Sequence, residues 1–376
     1  MKKVLLKYLL LIIFLVSCSK DETADIELVP TRFEDLPAWK LDAHGEVKDA
    51  FLRSCETLKK HQNPFLGNAE IKIDTVAFLK ICQKAKNVSK QNFRDFVEHN
   101  FIPYLIIYND SEVGKFTAYY EPILNVSTQQ SEKYKYPIHA KPLDLIEFNP
   151  HDFDDRLPSQ RLVGRIDGQK LIPYYTREDI AQGKGNIPVL LWADNPVDVY
   201  IMHIQGPAVA QFEDGSQIRI SFADTNGLKF KGIGSILLKN KVISPAQASM
   251  GEIKKWLLNN PQQAKKYMNQ NPRYVFHQLI GASGPLGAMG IPLTAGRSIA
   301  VDREFIPLGT LMWIDTKLPN GAALQRLVNA QDVGGAIKGA IRADYYWGSG
   351  GDEVLELAGR MNSSGRYYIL IPRQGD

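Results

Sequence analysis

Cysteine is scarce in this chain: among 376 residues only Cys18, Cys55 and Cys82 occur. Its seven histidines include no His-x-His or His-Glu-x-x-His spacing, so no zinc site is expected and no metal or cofactor is called for. The Gly-x-Ser-x-Gly elbow of a nucleophilic serine is missing as well; Gly281-Ala-Ser-Gly284 and Gly348-Ser-Gly350 read as turns. Gly284-Pro-Leu-Gly287-Ala-Met-Gly290 runs into proline and strand-like sequence, so no helix N-terminus waits there for phosphate. It reads instead as turns that bring backbone close to something bulky. Gly334-Gly335-Ala-Ile-Lys338-Gly339 lacks the spacing and hydroxyl of a P-loop. No internal period of roughly 20–50 residues appears, which excludes a repeat architecture. Nor does any apolar run reach the roughly 20 residues that span a bilayer.

What is present begins with an address. Lys2, Lys3 and Lys7 precede an apolar stretch, Tyr8 to Val16, that closes on Leu15-Val16-Ser17-Cys18. This order fits a secretion signal over residues 1–17, and its ending resembles the lipobox of bacterial lipoproteins, with Cys18 as the lipidated residue. Ser19 follows the cysteine in place of aspartate, which points, by analogy with enteric bacteria, to the periplasmic face of the outer membrane. Residues 18–33 are polar and aperiodic and read as a tether reaching roughly 50 Å when extended. Without its signal the chain holds 42 basic against 41 acidic residues. A near-neutral chain has no basic footprint for nucleic acid. With 44% apolar residues it can bury a large core, enough for two domains.

Helical spacing appears first. Phe51, Cys55 and Leu58 share a face in Glu46–Lys60, Phe78, Leu79 and Cys82 in Thr75–Lys86, and Ser89 stands as N-cap before Phe93, Phe96 and Val97. In an oxidising compartment Cys55 and Cys82 either pair across the first two helices or stay as separate buried thiols. From Phe101 the texture turns to short β-type runs: Tyr104–Tyr108, Lys115–Tyr120, Val189–Trp192, Val199–Ile204 and Gln217–Ser221. Asp214-Gly215 between two such runs signals a hairpin. Ser244-Pro245 opens a helix through Leu258, Pro261–Asn269 follows, and strands resume after Pro272. Many short strands with few helices argue for β-barrels over a doubly wound sheet.

The carboxylates carry the most chemistry. Asp302, Asp332 and Asp344 lie among glycines and aromatics, and an isolated Asp332-Val-Gly lacks the second copy an aspartic protease needs. Taken singly, each aspartate also reads as a turn cap at a strand end. Longer motifs go further. Phe116-Thr-Ala-Tyr-Tyr-Glu-Pro122, Pro173-Tyr-Tyr-Thr-Arg177, His203-Ile-Gln-Gly206, Asn271-Pro-Arg-Tyr-Val-Phe276, Gly284–Asp302 and Ala330–Gly350 together resemble the membrane-bound lytic murein transglycosylase A (MltA) family, in order, from about Gly114 to Pro372. The last part resembles the 3D domain, named for three aspartates that fall on Asp302, Asp332 and Asp344.

The resemblance implies a mainly β (α+β) fold: a six-stranded double-psi β-barrel from residues 34–124 and 271–376, carrying the N-terminal helices and the 3D region. A second β-domain is inserted at 125–270, with a groove between the two. It implies a lyase that cleaves the β-1,4 bond between N-acetylmuramic acid and N-acetylglucosamine in peptidoglycan glycan strands, with Asp344 as its acid. Tyr119, Tyr120 and Trp347 are expected to offer flat faces to sugars, with one of the two adjacent tyrosines turned into the core. Gln205 and Asp332 are expected to offer hydrogen bonds, Asp332 and Asp302 to support the site, and Lys338 and Arg342 either to meet substrate carboxylates or to lie solvated. The rival readings are a lysozyme-like hydrolase and a glycan-binding lipoprotein without catalysis.

Overall fold

Along 342–350 side chains alternate, so Ala343 and Tyr345 enter one apolar cluster while Tyr346 joins Tyr119 and Ala300 in another on the opposite face. That strand, Arg342–Gly350, is one of six that close into a ring. Leu311–Lys317 pairs with Ala323–Val333, which pairs in parallel with Ser298–Val301. Ser298–Val301 pairs with Arg342–Gly350, and that strand runs parallel to Gly114–Ser127. Gly114–Ser127 returns to Asn362–Pro372, which pairs with Leu311–Lys317 and completes the circuit. Closure leaves these strands without a free edge. The chain is described here by a computed structural model covering residues 26–67, 71–281 and 284–373; Cys18 and the signal lie outside the described residues.

The ring is filled by Trp313, Tyr367, Phe116 and Ile299, and the same core continues into the N-terminal helices through Phe51, Phe78 and Phe93. Those helices are Lys48–Leu58, Thr75–Lys86 and Phe93–Asn100. Ser89 caps only the turn before the third, where Asn92 is the residue at the N-cap. Cys55 and Cys82 are bonded, with Cα atoms 5.6 Å apart and a separation of 27 positions in sequence. Of the two alternatives open in the sequence, the structure has the disulfide. Closing a loop of that length restricts the unfolded chain, so replacing both cysteines by serine is expected to cost about 3 kcal/mol in a urea melt. An unchanged midpoint would remove that role.

The strand Gly114–Ser127 links the two halves. Its first part lies in the barrel, and its far end pairs with Ala208–Gln211 and with Val189–Ala193 in the insert. The expected hairpin is present, with Ala208–Gln211 antiparallel to Gln217–Thr225 and Gly215 at φ +82°. Three expectations change. Val199–Ile204 is helical, inside Pro196–Gln205, because Asn195 caps the amide of Val197 and Pro196 sits at the first turn. A short run of buried β-branched residues does not distinguish helix from strand. Ile26–Pro30, taken for tether, is a strand antiparallel to Phe101–Tyr108. Val275–Ile280 pairs antiparallel with Gln217–Thr225 and extends the sheet of that hairpin. The helix expected from Ser244 through Leu258 is divided into a short 3-10 turn, Pro245–Gln247, and Met250–Asn259 capped by Ser249.

Candidate active site

Register brings the aspartates together. Asp344 and Asp332 both lie opposite Ala300, one on each neighbouring strand, so their Cα atoms are about two strand spacings, roughly 10 Å, apart. Thr117 is the register partner of Asp344 on the other side, and its hydroxyl donates to Asp344 Oδ1. Arg342 Nη2 donates in turn to Thr117 Oγ1 at 2.8 Å, which orients that hydroxyl. Two residues further along the strand, on the same face, Tyr119 donates its hydroxyl to Asp332 Oδ2 at 2.8 Å. Asp332 Oδ1 also accepts the amides of Val333 and Ala288, each at 2.9 Å. The Ala288 contact explains the glycine-rich stretch 284–290. A Cβ on Gly287 would come within 2.6 Å of the carbonyl oxygen of Gln331, so only glycine lets that turn approach the strand.

These residues floor a cleft of about 610 Å³. The barrel contributes Thr117, Tyr119, Asp332, Asp344 and the loop Gly334–Ile337, while the insert contributes His203, Gln205, Phe230 and Arg273 from across the opening. Gln205 is fixed by accepting the amide of Tyr120 at 3.3 Å.

The two cleft carboxylates differ in their surroundings. Burial pushes Asp344 above the usual carboxylate range, against the Thr117 hydroxyl and the Arg342 charge that favour its ionised form. Asp332 is pushed up to about 6, first by burial, while its hydrogen bonds from Tyr119, Val333 and Ala288 pull the other way. Its neighbour Asp344 adds a further upward push. Three donors therefore serve Asp332, whereas Thr117 is the single hydrogen-bond donor to Asp344 among the described residues. An acid that must give up a proton to a ligand is better placed with fewer protein partners. That favours Asp344.

Not every expected residue joins them. Asp302 is buried outside the cleft, where it accepts the amides of Gly339 at 2.9 Å and Glu304 at 3.3 Å. It is a turn cap that holds the loop leading back to Arg342. Lys338 is exposed and paired with Glu304 at 3.3 Å and Asp302 at 3.5 Å, so it does not line the cleft. Of the adjacent tyrosines Tyr119 lines the cleft, while Tyr120 packs on Leu355 and Ala358. Trp347 is likewise displaced: strand alternation puts it edge-on to Tyr345, 5.9 Å between centroids, on the face away from Asp344. The aromatic beside the cleft is Tyr346, 5.3 Å from Tyr119. Thr117 was missed; its signal was its place two residues before Tyr119 on a strand. Arg273, Phe230 and His203 come from the insert and only the fold brings them here.

Residues 115–278 match the MltA specific insert domain and residues 297–371 the 3D domain. The crystal structure of MltA from Neisseria gonorrhoeae is 31% identical with a TM-score of 0.81, covering 94% of this chain and 96% of that one. The chain belongs to the MltA family. A membrane-bound lytic murein transglycosylase from Agrobacterium tumefaciens is 30% identical, with a TM-score of 0.81 and coverage of 92% of this chain and 98% of the other. Membrane-bound lytic murein transglycosylase A of Escherichia coli K12 is 30% identical over 269 residues. That alignment takes in 69% of this chain and 66%, about two thirds, of the relative. The family's insert and 3D regions are thus the two sides of the cleft.

Proposed function

We propose that this protein is a lytic transglycosylase of peptidoglycan, with Asp344 as its one acid–base group. The observation that carries the reading is a buried carboxyl, raised in pKa and served by a single protein donor, at the floor of a cleft between two domains. In this reaction the nucleophile belongs to the substrate. The C6 hydroxyl of N-acetylmuramic acid attacks its own C1, the bond from C1 to the glycosidic oxygen breaks, and a 1,6-anhydro sugar results. Asp344 gives its proton to the departing oxygen and takes the proton of the C6 hydroxyl, so it ends protonated and no water is consumed. An intramolecular hydroxyl is present at high effective concentration, which dispenses with a second carboxylate. Tyr119 offers a sugar-facing ring edge held by Asp332, and Gln205 and Arg273 face it from the insert. The barrel's double-psi crossover and the division into a barrel and an insert near 125–270 belong to the same proposal.

The assay that tests it follows reducing ends while purified protein solubilises sacculi: cuts without new reducing ends support the reading. Reducing ends rising one for one with cuts would favour hydrolysis, in which Asp332 would serve as the second carboxylate.

The rate should also depend on pH with a definite sign. Asp344 works from its protonated form, so activity falls as pH rises through its elevated pKa. The Thr117 hydroxyl stabilises the carboxylate; Thr117→Val removes that bond, raises the pKa further and moves the alkaline fall to higher pH by about one pH unit. A shift to lower pH would contradict the assignment.

For location, Cys18 as a lipid anchor in the outer membrane fits a substrate that is an immobile polymer within a tether's reach. No helix among the described residues is long and apolar enough to cross a membrane.

A further inference from the structure

Three stretches of sequence, Pro173–Arg177, His203–Gly206 and Asn271–Phe276, the last two of which also reach the catalytic cleft, meet inside the insert at one buried guanidinium. Arg177 is 6% exposed. One of its amino groups donates to His203 Nδ1 at 3.0 Å and the other to the carbonyl of Arg273 at 2.8 Å. Its Nε has no partner, and no carboxylate among the described residues pairs with it. The rings of Tyr200 and Tyr274 lie 4.6 and 5.1 Å from it and supply only the partial negative charge of aromatic faces. A guanidinium keeps its proton at any ordinary pH, and burying it without an anion is unfavourable.

Arg177 does not face protein on every side. It lines a cavity of about 750 Å³ within the insert, distinct from the catalytic cleft but sharing His203 as a wall. Lys135 and Lys265 stand on the same lining, neither engaged in an ion pair among the described residues, against a lone acid, Asp194. The rest of the wall includes Val197, Leu257 and Met268, which suits short aliphatic side chains. His203 accepts from Arg177 at Nδ1, so its proton is on Nε2, and burial keeps the ring neutral.

We infer that this cavity is a second ligand site, binding the free carboxylate of a short peptide with Arg177 as the anchor and Lys135 and Lys265 at the rim. It deepens the proposed function and rests on it, since wall glycan is a polymer that carries short peptides ending in carboxylates. A planar guanidinium matches a carboxylate's geometry, and the apolar wall accepts alanine-type side chains. Binding at Arg177 reaches the cleft through His203, two residues before Gln205 on the same helix.

Calorimetric titration of the full chain with the tetrapeptide L-alanyl-γ-D-glutamyl-L-lysyl-D-alanine, and with the same peptide amidated at its carboxyls, decides the matter. Saturable binding is expected for the acid and at least tenfold weaker binding for the amide. Arg177→Met should weaken the acid at least tenfold and leave the amide unchanged. Equal affinity for acid and amide in the wild-type chain overturns the proposal, and that comparison stands even where the variant does not fold. Inorganic phosphate binding as tightly as the peptide would also overturn it, leaving a small-anion site. The reducing-end assay does not use this cavity, so failure of the glycan reading and failure of the peptide site are separately visible.

Discussion

Asp344→Asn is expected to slow glycan cleavage by about a thousandfold while the melting temperature stays nearly where it was. A positioned proton donor contributes roughly 10²–10⁴ in rate, and in the proposed reaction one residue gives and retakes the proton. Asparagine keeps the shape and can still accept from the Thr117 hydroxyl, so the fold loses little. Its amide cannot protonate a departing oxygen. Asp332→Asn makes the informative contrast. Asp332 accepts from Tyr119, Val333 and Ala288, and an amide retains the oxygen that takes both backbone donors. That variant is expected to lose about tenfold, through a misplaced Tyr119, with kcat falling and the pH profile keeping its shape. Measured on sacculi, equal losses at the two positions would make the aspartates a catalytic pair and point to hydrolysis.

The largest expected effect on stability lies elsewhere. Arg297 is 1% exposed and donates twice to Asp42, to Glu46, and to the carbonyls of Leu327 and Ala43. Asp42 is itself buried and also accepts the amide of Leu327. The pair fastens the turns before the first helix to the barrel strand Ala323–Val333, from which Asp332 projects. Arg297→Met leaves the Asp42 charge buried with its main counter-charge gone, and removing one partner of a buried pair costs about 3–5 kcal/mol. Urea denaturation measures this; a loss below about 1 kcal/mol would mean that Asp42 finds solvent and that the pair is ornamental.

How far the sequence carried these conclusions depends on the kind of signal. The mainly β, two-part fold was legible because strand texture breaks off, gives way to helices, and resumes, and because the long motifs run in order. Asp344, Asp332 and Tyr119 were legible by the same route, and all three line the cleft. Errors arose where alternation had to be phased without a partner strand. Trp347 seemed a neighbour of Asp344 three residues away, yet an odd separation on a strand points opposite ways. Tyr346, at an even separation, is the ring that packs beside the cleft. Lys338 sits in a loop whose neighbours line the cleft, and its ion pairs with Glu304 and Asp302 were invisible without coordinates. Val199–Ile204 shows the limit of propensity: a buried apolar run takes the state its cap selects, and Asn195-Pro196 selected helix. The buried Arg177 cluster was beyond reach for a different reason, since His203 and Arg273 stand 26 and 96 residues from Arg177 in sequence.

In the proposed reaction the substrate's own hydroxyl, not water, takes the place of the departing sugar at C1. Digesting sacculi with the purified protein in heavy-oxygen water and weighing the released muropeptides tests that directly. Anhydro products whose masses carry no label are expected. Products heavier by one labelled water would contradict that reaction.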